Sequence, residues 1–191
     1  MMTPKLAVIP AAALLFAGCA MTRTTTTEKT AVEQALMSRS ALDSLAGAEI
    51  PRGSSSFTLS DTELVSEHKE VLLSATRQSL LEAGYRVAAE DAELTVHARA
   101  NYSAIDDGRA FIGIPSIPVP IPAVGTVTTP ELVLFKREAQ RGRNQLELYA
   151  VRNEDGSLAF SSKGDAAERG YTRWVVLFVI GWRSTDLGKP F

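Results

Sequence analysis

Cys19 is the single cysteine of this 191-residue chain, and the sequence around it indicates its chemistry more clearly than the sequence around any other residue. Lys5 supplies a positive start and an apolar run from Leu6 to Phe16 follows. The run is shorter than the roughly 20 apolar residues of a spanning helix, so residues 1–18 are predicted to be a secretory signal peptide. A lone thiol cannot form an internal disulfide after export, which makes Cys19 a candidate modification site.

The residues around the predicted cleavage point resemble the lipobox of bacterial lipoproteins. They read Leu15-Phe16-Ala17-Gly18-Cys19, with Phe16 where that family usually has Leu. The resemblance implies that Cys19 carries a diacylglyceryl group and an N-acyl chain, which together hold a protein firmly because each buried methylene contributes about 0.8 kcal/mol. Ala20 stands where enteric lipoproteins retained at the inner membrane have Asp. The predicted location is therefore the periplasmic face of the bacterial outer membrane, or the cell membrane where the host has no outer membrane. The alternative is an ordinary signal peptide followed by a stray thiol.

Two histidines are the other side chains that could do chemistry. His68 lies on the apolar side of a predicted helix, and a histidine at the core margin is favoured over a ligand because no ligand-type residue stands four positions later. His97 lies beside Arg99 on the polar side of a predicted strand, where a small binding patch is the alternative to a solvated face. The sequence has no phosphate loop, nucleophile elbow or metal-ligand spacing, so no catalytic residue, metal or cofactor is expected. Asp106-Asp107-Gly108 is predicted to be a turn and not a calcium loop.

Composition indicates a folded globule without affinity for nucleic acid. The chain is 45% hydrophobic and 22% charged. Lys5 leaves with the signal, so the 20 basic residues become 19 against 22 acidic ones, and membrane attachment must come from the lipid. We expect a signal peptide over 1–18, a lipidated cysteine with a Thr-rich solvated tether over 19–29, and one α+β domain over 30–191.

The predicted fold class is α+β, a mostly antiparallel sheet packed by two amphipathic helices. One helix is predicted over 31–46, and another begins at the capping box Ser60-Asp61-Thr62-Glu63 and ends before Gly84. Strands are predicted over 56–59, 85–88 and 94–104, with the side chains from Leu94 to Ala104 alternating between two faces. Residues 131–136 suit a strand slightly better than a helix, with a turn at Arg141-Gly142-Arg143. A hairpin over 145–162, turning at 153–156, follows.

A Pro-rich segment from Gly113 to Pro122 is the second unusual feature. Its four prolines exclude a helix and a central strand, which predicts a stiff, polyproline-like extended arm. The arm either docks on a partner subunit or the lipid surface, or it lies across its own domain and closes the core. The candidate partner-binding residues are Ile114, Pro115, Ile117, Pro118, Val119, Pro120, Ile121 and Pro122.

The apolar run from Trp174 to Trp182 is too short to cross a membrane as a helix. Tryptophans at both of its ends are compatible with contact to lipid. A buried strand is favoured, because the run lacks the alternation of a strand with one polar face.

Several short motifs resemble an uncharacterised family of small bacterial lipoproteins. They are Thr30-Ala31-Val32-Glu33-Gln34, Gly113-Ile114-Pro115, Thr129-Pro130-Glu131-Leu132, Lys136-Arg137 and Gln140-Arg141-Gly142. The order of elements resembles, more loosely, the α+β domain of the curli-secretion channel lipoprotein and of the lipoproteins that activate peptidoglycan synthases. Those proteins bind protein partners, so the resemblance implies a non-catalytic role in envelope assembly, secretion or wall maintenance, through a protein partner or self-association. The alternatives are a periplasmic carrier of lipid or another small ligand, and an enzyme with an unrecognised site.

Overall fold

A computed structural model describes residues 22–24, 31–122 and 125–187. The predicted signal peptide and Cys19 lie outside the described residues. The two helices are α1 (Ala31–Ala46) and α2 (Lys69–Glu82). The strands are β1 (Thr22–Thr24), β2 (Ser56–Ser60), β3 (Arg86–Val87), β4 (Leu94–Ile114), β5 (Pro118–Ile121), β6 (Gly125–Thr128), β7 (Leu132–Arg152), β8 (Leu158–Lys163), β9 (Ala167–Val176) and β10 (Ile180–Thr185).

The α+β prediction is confirmed by a mostly antiparallel sheet. Eight described strands form it in the order β10-β9-β7-β4-β2-β3, with β1 added to β4 and β8 added to β7. Among the described strands, two pairings are parallel, and they join β2 to β3 and to β4. The strands β4 and β7 are each 21 residues long and pair along their whole length. They form the spine to which the other strands attach.

The helices cover one face of the first half of this spine. α1 spans the predicted residues, and its buried side chains Leu36, Met37 and Leu45 pack on β4 and β7. Fully burying one such side chain stabilises a fold by about 1.5–3 kcal/mol. A second cluster, around Phe57, Leu80 and Val96, joins α2 to β2 and β4. The core therefore lies between two helices and the half of the sheet nearest to them.

The second helix begins later than its predicted capping box. α2 starts at Lys69, and residues 61–68 form turns instead. The Ser60 and Thr62 hydroxyls share a hydrogen bond, and Asp61 forms an ion pair with Lys69. Neither the Ser60 nor the Asp61 side chain therefore caps a helix there. Leu64 still reaches the core from the turn. The end of the helix is as predicted, because Gly84 adopts a φ of +101° that a residue without a side chain tolerates.

A β-bulge overturns the predicted facing of β4. Ala100 pairs with Leu146 while Tyr102 pairs with Gln145, which leaves Asn101 as an extra residue. Before the bulge, alternation from Leu94 onward is as predicted. After it, Ile105 faces the core, so Tyr102 and Ala104 point away from it, contrary to prediction.

Two predicted turns are strand interiors. Asp106-Asp107-Gly108 lies within β4, and Arg141-Gly142-Arg143 lies within β7, because the long β4–β7 ladder satisfies the backbone of both segments. The strand over 131–136 is confirmed in β7. The later hairpin is confirmed as β7 and β8, closed by the Arg152 N–H donating to the Ser157 carbonyl at 2.9 Å.

Candidate functional site

The half of the β4–β7 spine that is farther from the helices extends past them, and several large apolar side chains are exposed there. We call this region the distal sheet: residues 106–114 of β4, 132–141 of β7, 170–176 of β9 and 180–185 of β10. α1 contacts its margin where the Gln140 amide donates to Glu33 at 3.3 Å and where Arg169 bonds the Asp43 carboxylate. The hydrogen bond from Arg169 lowers the pKa of Asp43, which keeps this pair ionised at neutral pH.

Strand register assigns each residue of the distal sheet to a face. Gln140 and Arg169 reach α1, so residues that alternate with them point to the opposite, outward face. Two rows of the outward face lie nearest the end of the sheet. The end row is Ile112, Phe135, Val176 and Ile180, and the second row is Ala110, Arg137, Trp174 and Trp182. Seven of these eight residues are apolar, which makes a continuous apolar outward face.

Trp174 and Trp182 form the aromatic centre of this face. Their rings stack with centroids 5.7 Å apart and planes inclined by 15°. Trp182 is still 48% exposed, and Ile112 and Ile180 beside the pair are similarly open. An exposed patch of large apolar side chains on a folded protein usually marks a contact surface.

The opposite face of the distal sheet is charged. Glu138 accepts ion pairs from Arg109 at 3.7 Å and from Lys136 at 3.4 Å, and Lys136 also reaches Glu131 at 3.1 Å. Arg173 and Arg183 stand opposite each other in the β9–β10 register on the same side. The distal sheet therefore has an apolar outward face and a mostly charged face, which we call the solvated face and which also holds Phe111 and Val175 beside Lys136.

The run from Trp174 to Trp182 is a hairpin and not the predicted buried strand. β9 ends at Val176, and the turn places Leu177 and Phe178 at positive φ, with their N–H groups donating to carbonyls of β7 at 3.0 Å. Val179 at the turn is 83% exposed. The run lacks alternation because Val175 and Gly181, which point to the face opposite the tryptophans, carry no polar side chain.

The Pro-rich segment also forms a hairpin and not a lone polyproline arm. β5 pairs with β6 antiparallel, and we call residues 117–122 and 125–129 the Pro-rich hairpin. The Thr129 N–H donates to the Ile117 carbonyl at 3.0 Å, so the residues facing β6 are Ile117 and every second residue after it. Pro118 and Pro120 fall between them, where a missing N–H costs no ladder bond. The segment is thus an edge strand, which agrees with the exclusion of helix and central strand.

All the candidate partner-binding residues of this segment are exposed. The alternative that the segment closes the core of its own domain is therefore wrong. In the hairpin, Val119 lies opposite Val127 and Ile121 opposite Gly125. These aliphatic side chains are open to a ligand or partner.

The chain enters the described fold beside the distal sheet. β1 runs antiparallel to β4, with Thr22 opposite Arg109 and Thr24 opposite Asp107. Part of the predicted solvated tether is therefore a strand, since the edge of β4 offers it backbone partners. Three Cα–Cα steps of 3.8 Å place Cys19 within about 11 Å of Thr22. β1 therefore lies at the β4 edge of the distal sheet, and it begins three residues after the predicted lipidation site.

The two histidines lie in different settings, and neither forms a recognisable centre. His68 is buried at the start of α2, which agrees with a histidine at the core margin. Its backbone N–H donates to Ser66 Oγ at 3.1 Å. His97 stacks on Tyr149 with centroids 4.6 Å apart. The Tyr149 hydroxyl bonds Glu63, and this bond raises the pKa of Tyr149. Within 22–24, 31–122 and 125–187, no cluster of His, Cys, Asp and Glu could hold a metal ion.

Two clefts bear on the enzyme and carrier alternatives. One, of about 370 Å³, lies between α1 and α2 and includes Asp43, Gln78 and Glu82. The other, of about 660 Å³, is an open groove along residues 61–69. Neither cleft is lined by His68 or His97, and the cleft between the helices has a mixed lining, because Leu42, Leu45 and Ile50 lie beside these polar residues.

Among the residues described here, no helix is both long and apolar enough to cross a bilayer. Comparisons of the chain with protein-family models, with curated proteins and with solved structures find no match. The resemblance to small bacterial lipoproteins stays a prediction from its motifs.

Proposed function

We propose that this chain is a lipid-anchored envelope protein that acts by contact with a protein partner and not by catalysis. In this proposal Cys19 carries the lipid and the domain works at the periplasmic face of the outer membrane. The observation that carries the proposal is the exposed, apolar Pro-rich hairpin. Envelope assembly, secretion and wall maintenance are the processes in which such a contact would serve.

The hairpin suits recognition of a protein for two physical reasons. Pro118 and Pro120 fix their own φ angles, so little backbone entropy is lost when a partner orders the ribbon. Prolines on the outer edge of β5 also leave no N–H there to pair with another strand. Recognition would therefore run through the aliphatic side chains of Ile117, Val119 and Ile121, which favours a partner with a matching apolar groove.

Site-specific crosslinking in native membranes tests the protein contact. A photoreactive side chain at Ser116 should join the hairpin to one reproducible partner, identified by mass spectrometry of the joined peptides. Val119→Asp should lower that crosslink about ten-fold, because a charge replaces an apolar contact. The matched control is Val87→Asp, a change at another exposed edge-strand valine that should leave the crosslink intact.

Two results would each contradict a separate part of the proposal. An equal crosslinking yield for the Val119→Asp and unchanged proteins would rule out the hairpin as the contact. Absence of acyl mass on the peptide that begins at Cys19 would rule out the anchor.

A further inference from the structure

We infer that the outward face of the distal sheet rests on the lipid bilayer that holds the acyl chains of Cys19. The protein would then touch the membrane twice, through its anchor and through a folded surface. This inference rests on the lipid anchor of the proposed function and is independent of the protein partner. The Pro-rich hairpin forms a separate ladder between the end of β4 and the start of β7.

Polarity along the outward face changes in the order that a membrane interface requires. The end row is wholly apolar, and the second row contains both tryptophans and Arg137. The third row is Gly108, Ala139, Thr172 and Ser184, and the fourth holds Asp106, Arg141 and Gly170. At about 3.3 Å per residue, the six steps from Ile112 to Asp106 span roughly 20 Å. The face therefore passes from apolar at the end of the sheet to charged about 20 Å further along it, so only the first rows would enter a bilayer interface.

The second row carries side chains typical of the membrane–water boundary. Tryptophan prefers the head-group level, because its ring is amphipathic. Trp174 and Trp182 stack at that level, and Arg137 lies beside them in the same row. A long basic side chain can place its stem on apolar surface while its guanidinium reaches a phosphate. Tryptophan and arginine are also common in protein interfaces, so the choice of lipid over protein rests on the position of the anchor as well.

Covalent geometry also favours lipid as the occupant. β1 fixes Thr22 beside Arg109 in the distal sheet, and Cys19 precedes Thr22 by three residues. An acylated Cys19 would hold the distal sheet within about 11 Å of its own insertion point. Tethering at such short range raises the effective concentration of the second contact, so a modest apolar face suffices to stay docked.

The free edge of the sheet indicates that the distal sheet lies at a shallow depth in the membrane. In the described part of the chain, β10 pairs with β9 on one side only. Its outer backbone groups need water or head groups, because unpaired strand edges are not tolerated in hydrocarbon. The face should therefore lie at the interface, with the apolar end row lowest and the charged fourth row in water.

The tryptophans provide an internal probe for this contact. The whole sequence has two tryptophans, and both lie on the outward face. The lipidated full chain can be reconstituted in phosphatidylethanolamine–phosphatidylglycerol vesicles, with bromine placed near the head group or near the end of the acyl chain. We expect loss of tryptophan fluorescence with bromine near the head group, and a smaller loss with the deep bromine.

Adjacent valines on opposite faces supply matched variants. Val176→Asp places a charge on the outward face, and Val175→Asp places it on the solvated face. The first should shift the docked sheet about ten-fold toward the undocked state and restore fluorescence, since one apolar contact is lost. The second should leave the loss of fluorescence unchanged. A cooperative thermal transition in both variants shows that each is folded.

The outcomes separate the inference from its premise. If the chain fails to float with the vesicles, the anchor itself is wrong. If it floats but bromine at neither depth quenches the tryptophans, the outward face is not on lipid. Burial of the tryptophans that depends on protein concentration would assign the face to a second copy, and stronger quenching by the deep bromine would contradict the interfacial position.

Discussion

Gly142 sets how closely α1 can approach the spine of the sheet. A Cβ built on this glycine would lie 2.9 Å from the backbone carbonyl carbon of Leu36. We expect Gly142→Ala to lower the free energy of unfolding by about 1–3 kcal/mol, because the helix must shift away from β7. Urea denaturation of the purified protein measures this change.

The matched control is Gly108, another glycine of the long β4–β7 ladder. A Cβ there would meet the Ala139 side chain at 3.9 Å, which is an ordinary contact. Gly108→Ala should change the free energy of unfolding by no more than about 0.5 kcal/mol. Equal effects of the two substitutions would show that the approach of α1 is not limited at Gly142.

Buried polar residues also join α1 to β7. The Asn144 amide donates to the Met37 carbonyl at 3.1 Å and to Ser40 Oγ at 2.7 Å, and Ser44 Oγ accepts the Leu146 N–H at 3.0 Å. Each bond is worth about 1 kcal/mol net, but an unpaired partner would cost more. Serines on the inner face of a helix therefore serve the packing, although hydrophobic spacing alone would place them in water.

At the scale of elements, the bulge at Asn101 decides which side chains of β4 form the apolar outward face. Deleting Asn101 would remove the extra residue, and Tyr102 and Ile105 would keep the faces that they have in the bulged strand. We expect the deletion to change the free energy of unfolding by no more than about 1 kcal/mol, because no apolar and polar residues exchange faces. Thermal unfolding followed by circular dichroism measures the change.

Asn101→Ala keeps the residue count and is the control for this deletion. The Asn101 side chain makes an exposed hydrogen bond to Glu147 at 3.2 Å. Its loss should change stability by no more than about 0.5 kcal/mol. A deletion variant much less stable than this substitution would contradict the inference that one extra residue sets the faces of the strand.

Elements with strong local signals could be predicted from the sequence. α1 and the hairpin of β7 and β8 follow from apolar periodicity and turn residues within a few positions. The start of α2 could not, because Ser60 and Asp61 bond other side chains in the folded protein. The faces of β4 depend on one extra residue, which its alternation does not reveal.

The outward face could not be predicted from the sequence, because it is built from four strands that are distant in sequence. Ile112, Phe135 and Ile180 become neighbours only through the register of β4, β7, β9 and β10. One local signal was available: Trp174 and Trp182 are symmetric about Phe178, as they would be in a hairpin. The same symmetry places both rings on one face.

For the whole molecule, the proposed membrane contacts depend on where the N-terminus joins the sheet. Cysteines introduced at Thr22 and Arg109 should form a disulfide in the lipidated protein, because these residues are directly opposite in antiparallel strands. In the proposed lipidated form the Cys19 thiol would be blocked by the lipid, so it would not compete. Non-reducing electrophoresis after mild oxidation and proteolysis between the two sites measures the bond.

Thr22→Cys with Arg183→Cys is the control pair. Arg183 lies on β10, four strand positions from β1, so the separation is about 19 Å at 4.8 Å per strand and exceeds the reach of a disulfide. Bond formation in the first pair alone would fix the anchor beside the distal sheet. Equal, slow oxidation of both pairs would mean that residues 22–24 are a free tether, and the outward face would then lose its enforced proximity to lipid.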